Sequence, residues 1–142
     1  MIITGVVIYF SFNKSYILSL EAKYYFEIEE FDKAYKKAKE AYILDPYNKM
    51  AFSIYTQSQI AKEWQNFIND AKEYFKKIRE ITNKQNITKK DKLKIKIMLE
   101  ILIDQYKSLK KSLLINKSLK QKAKKEYLKI RRIYEEVFGK RS

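Results

Sequence analysis

Only one proline and two glycines interrupt 142 residues, so the chain has few places where its backbone is made to turn. A sheet protein of this length needs many tight turns, and no run of turn-forming residues here is long enough to supply hairpins. Apolar residues recur instead at helical spacing. Met50, Ile54 and Ala61 share one face, as do Ala71, Phe75, Ile78 and Ile81, and the stretch 64–66 between them is expected to mark a bend. The polar run 83–90 separates this half from the C-terminal part of the chain. Thr88 and Asp91 form a capping signature that opens a helix from about Lys89 to Lys111. Its inner face carries Ile95, Met98, Leu99, Leu102 and Tyr106; Ile97, Ile101 and Ile103 widen it, which predicts the most buried helix of the chain. Ser118 with Gln121 repeats the signature. It precedes a last helix whose inner stripe is Leu119, Ala123, Tyr127, Ile130, Tyr134 and Val137, and which stops at Gly139. The expected fold is all-α, with about five to six helices in one domain.

Residues 18–46 hold a more particular order of small and aromatic side chains: Ala22, Tyr25, Phe31, Ala34, Ala38, Ala41 and Pro46. The last three alanines fall at i, i+4 and i+7, a stripe that lets another helix approach closely. Pro46 lacks an amide donor and disfavours helical geometry at Asp45, ending that helix near Leu44. Together these residues resemble one tetratricopeptide (TPR) repeat at about residues 15–48. Leu18 stands where the family usually has Trp, Glu21 replaces the usual Leu, and Glu29 replaces the turn Gly. Displaced by about 34 residues, one repeat length, Phe52 and Tyr55 fall at the Leu18 and Glu21 positions. Lys72 and Glu80 then replace an alanine and the proline, so a second repeat is degenerate. One repeat cannot bury its own apolar face. The resemblance implies TPR-like helical hairpins over 15–82, with a basic helical hairpin over 89–138 packed on them, and a role in binding a protein or peptide partner as adaptor or scaffold. It places the partner-facing positions at Tyr16, Ser19, Lys23, Phe26 and Glu27. Phe26 either anchors a partner's apolar side chain or packs within the protein.

The chain has no cysteine and no histidine. Disulfides, thiolate nucleophiles, the commonest zinc and haem ligands and the usual proton shuttle at neutral pH are all excluded. Gly5 and Gly139 cannot make a phosphate-binding glycine loop. Carboxylates such as Glu29, Glu30 and Asp32, or Asp70 and Glu73, stand among lysines and read as solvated helix faces. The expectation is a protein that is not an enzyme and needs no cofactor or metal.

Residues 1–14 form an apolar segment, and the first charge is Lys14. Residues Met1 to Phe12 carry none, and as a helix they reach about 18 Å, short of the roughly 30 Å hydrocarbon core. Continued to Leu20, the stretch is long enough, with Lys14 able to snorkel. Tyr9, Phe10 and Phe12 resemble an interfacial aromatic belt. A signal peptide is disfavoured, since no basic region precedes the apolar run and no small-residue cleavage site comes after it. Three readings stay open: a membrane anchor, a first helix packed on the repeat in a cytoplasmic protein, or a β-like apolar tail.

The net charge of +14 is uneven: residues 1–80 carry +1 and residues 81–142 carry +13. Lys120, Lys124, Lys125, Arg131 and Arg132 are the densest part. Such a surface attracts phosphates of nucleic acid or anionic lipid, which defines the alternative function, a soluble basic module. The chain has few arginines, the better phosphate readers, and no nucleic-acid motif. Lysines that merely solvate helix backs account for the same composition.

Overall fold

The computed structural model describes residues 2–140, so Met1, part of the expected membrane contact, lies outside the described residues. The fold is all-α. Among the described residues five helices stand in order: α1 (Ile2–Glu27), α2 (Phe31–Leu44), α3 (Lys49–Thr82), α4 (Lys89–Ser108) and α5 (Lys117–Phe138). The chain divides into two compact units, Met1–Lys62 and Glu63–Ser142, and the division falls within α3. The expected bend at 64–66 is not there. Neither Gln65 nor Asn66 opposes helix, and Trp64 is buried with its indole nitrogen donating to the Lys110 carbonyl at 2.8 Å, so these residues stay helical.

In the first unit α1 packs on α2. Ala22, Ala34 and Ala38 are fully buried with Ile54, and Tyr25 and Phe26 pack against them. Leu18 joins Ala41 and Ala51 in a second cluster. The small side chains let the helices come close, as their spacing requires. α1 ends in a Schellman motif: Glu30 N donates to Tyr25 O (2.9 Å) and Glu29 N to Phe26 O (3.1 Å). Glu29 takes φ 63°, a left-handed conformation that glycine adopts without steric cost. Glu29→Gly should therefore stabilise this unit by about 0.5–1 kcal/mol, the relieved strain exceeding the extra entropy of the unfolded chain. Calorimetric unfolding measures it.

α2 closes at Asp45, and the Pro46 turn is held by Asn48 N donating to Asp45 O (3.1 Å) and Tyr47 N donating to the Asp45 carboxylate (3.0 Å). Asn48 then has two tasks. Its side-chain oxygen accepts from Ala51 N (3.1 Å), starting α3, while its amide nitrogen donates to Ser15 (3.0 Å) and Ser19 (3.4 Å) on α1. Ser15 in turn donates to the Ala41 carbonyl at 2.7 Å. Asn48→Ala removes a cap and leaves buried hydroxyls short of a donor, so it should cost about 2 kcal/mol, read from the calorimetric transition.

In the second unit Phe67 is fully buried with its ring 5.3 Å from Tyr106, which stacks on Tyr127 at 4.1 Å. Leu99, Leu102, Ala123 and Ile130 are fully buried and Leu119 nearly so. Tyr134 donates to Glu100 at 3.0 Å and contacts Phe138. Val137, expected on this stripe, is exposed; Phe138 takes its place because it lies nearer the Tyr134 face. α4 is not the most buried helix. Ile103 is buried, but Ile97 and Ile101 are each 46% exposed, since its apolar face is wider than its neighbours cover. α5 starts at Asn116, whose side chain accepts from Ser118 N (2.9 Å). Ser118 is thus inside the first turn rather than the cap. Gly139 ends α5 at φ 81°.

The α4 capping box forms as expected. Thr88 N donates to the Asp91 carboxylate and Asp91 N to the Thr88 hydroxyl, both at 3.1 Å, and Lys84 pairs with Asp91 at 3.3 Å. These donors, Thr88 first, hold the Asp91 carboxyl below its ordinary range. A depressed folded value gives stability that is whole above the unfolded value and is lost as pH falls through the folded one. The stability gap between the protein and Asp91→Asn, read in urea, should therefore be constant from neutral pH to about 5 and shrink on further acidification.

Candidate functional site

α1 is a 26-residue helix of about 39 Å, and its two halves have different surroundings. From Ser15 onward it has a buried side: Ser15, Leu18, Ser19 and Ala22 are covered. Before Ser15 it has none among its described side chains. Ile3 is 80% exposed, and Val6, Val7, Ile8, Tyr9, Phe10 and Phe12 are exposed as well. Apolar side chains face solvent around most of the circumference there, leaving one narrow arc to Thr4 and Ser11, with Tyr9 and Phe10 in edge-to-face contact. The helix is long and apolar enough to cross a membrane by length and composition.

The five partner-facing candidates lie on the second half of α1. Tyr16, Lys23 and Glu27 are exposed, and at i, i+7 and i+11 they share one face. Ser19 is fully buried, its hydroxyl donating to Tyr16 O at 2.7 Å, so it faces inward. Phe26 is half-buried, edge-to-face with Phe31 at 5.5 Å. Leu20 and Tyr24 are also exposed beside Tyr16 and Lys23. Sequence reasoning passed over these two, though Leu20 completes the i, i+4, i+7 spacing. Glu21, on the flank, pairs with Lys37 at 2.9 Å.

The basic candidates lie on α5. Lys124, Lys125 and Arg132 are exposed and line a depression of about 570 Å³ with Leu128, Lys129, Gln121 and one carboxylate, Glu126. Lys120 is half-buried and lines a different depression with Lys124. Arg131 is set apart: Glu135 pairs with it at 2.8 Å, a bond that raises the guanidinium's proton affinity and offsets its charge. Among the described residues no three carboxylates come together as a metal site would require. Comparisons with known proteins give no match to a family model, to a curated protein or to a solved structure.

Proposed function

We propose that the protein is a non-enzymatic, TPR-like adaptor, tethered to a membrane by the first half of α1 and holding a protein partner on its helical hairpins. The tether rests on residues 3–14, which expose apolar side chains around most of the helix, an arrangement costly in water and favourable in acyl chains. They reach about 18 Å, enough to pass through one leaflet, about 15 Å of a roughly 30 Å hydrocarbon core. The repeat-like reading is supported by the buried alanines of α1 and α2, by the left-handed turn where a repeat has glycine, and by the Pro46 closure. Tyr16, Leu20, Lys23 and Glu27 offer the partner a mixed apolar and charged face beside Phe26.

Co-sedimentation with phosphatidylcholine vesicles at high salt tests the tether. The whole chain should pellet with the vesicles and a chain lacking residues 1–14 should not; a whole chain that stays in solution contradicts it. A second reading, the soluble basic module, draws on the exposure of Lys124, Lys125 and Arg132 together. It requires binding to surfaces of net negative charge only, anionic vesicles or nucleic acid, abolished by salt and indifferent to that truncation.

A further inference from the structure

Between α4 and α5 the chain reads Leu109-Lys110-Lys111-Ser112-Leu113-Leu114-Ile115-Asn116. Leu113 is 100% exposed and Leu114 57%, in a connection that is held at both ends. The Trp64 indole fixes the Lys110 carbonyl, Leu114 N donates to the Ser112 hydroxyl at 3.2 Å, Ile115 is buried, and Asn116 caps α5. The two leucines are thus held outward by a fixed turn. Lysines stand near them in sequence and beside Leu113 in space. Lys110, Lys111 and Lys117 are exposed, and Leu113 shares a depression of about 410 Å³ with Trp64, Tyr106, Lys111, Lys120 and Lys124. No acidic side chain is among its described lining residues.

An apolar tip that shares a depression with three lysines has the chemistry of one surface in particular. Acyl chains take the leucines, anionic headgroups take the lysines, and the long lysine stems span the distance between the two layers. Nucleic acid would engage the lysines but gain nothing from aliphatic side chains, because its stacking partners are aromatic. We propose that the 109–116 connection is a membrane-inserting loop for anionic bilayers, with Leu113 and Leu114 entering the acyl region and Lys111, Lys120 and Lys124 on headgroup phosphates. It belongs to the second compact unit and does not depend on the α1 tether.

The test uses the full chain carrying Val7→Asp and Phe10→Asp, so that apolar insertion of α1 does not mask the loop. Vesicles of phosphatidylcholine, alone or with phosphatidylserine added, are titrated at low and high salt. This background should bind only the phosphatidylserine vesicles, and more weakly as salt rises. Adding Leu113→Ser and Leu114→Ser should lower that affinity at least tenfold, with circular dichroism unchanged because Leu113 is fully exposed and Leu114 more than half exposed. Replacing Lys111, Lys120 and Lys124 with glutamine should abolish it. Absence of binding by the background overturns the proposal. So does unchanged binding of the leucine variant, which, if accompanied by equal binding of a single-stranded oligonucleotide, makes the lysines a general phosphate surface.

Discussion

Val7→Asp with Phe10→Asp should eliminate binding to neutral vesicles at high salt while leaving thermal unfolding where it was. Both side chains are exposed, so a carboxylate at either meets water in the free protein, and the effect on folding should stay within about 0.5 kcal/mol. In acyl chains the same carboxylates are costly. One aspartate at mid-helix depth opposes insertion by roughly 2.5–3.5 kcal/mol, and two by about 5–7 kcal/mol, a loss of more than a thousandfold in partitioning. Full retention of binding would mean that this part of α1 does not enter the bilayer.

Phe67→Ala should be the most damaging single change to the second unit, at about 3–5 kcal/mol. Phe67 is fully buried and its ring meets Tyr106, which in turn stacks on Tyr127 of α5 and faces Trp64 edge-on. Its removal opens a cavity under an aromatic stack that joins α3, α4 and α5. Burial pushes the Tyr106 phenol up, with Tyr127 adding to it. The chain has one tryptophan, Trp64, and it sits in this unit, so its fluorescence during urea unfolding reports the loss directly. A midpoint shift worth under 1 kcal/mol would mean that the site collapses to fill the gap.

The sequence is most informative where local chemistry decides the backbone. Pro46 after Asp45 ends α2 at Leu44, Thr88 and Asp91 cap α4, and Gly139 takes a positive φ to end α5, all through interactions within a few residues. Burial is legible where one stripe is apolar, as at Ala34, Ala38 and Ala41 or at Leu119, Ala123 and Ile130. It is not legible on α4, where Ile97 and Ile101 carry the same apolar signal as Ile95 and Ile103, and only tertiary packing decides which pair is covered. Ser19 escapes for a similar reason. A hydroxyl small enough to sit in a close helix contact and bond to the turn beneath it looks, by type, like a surface residue. At the candidate site, the uncharged run before Lys14 announces an apolar segment, but its exposure depends on where α2 ends. Leu113 and Leu114 give no periodic signal because they lie in a turn.

The depth of α1 in a bilayer tests the tether most directly, and the absence of native cysteine makes it accessible. Val7→Cys and Lys23→Cys, each carrying an environment-sensitive fluorophore, are compared with and without phosphatidylcholine vesicles at high salt. A tether formed by the first half of α1 predicts a blue-shifted, quencher-protected label at position 7 and an unchanged, water-exposed label at position 23. A label at position 7 that stays in water when vesicles are present would contradict it.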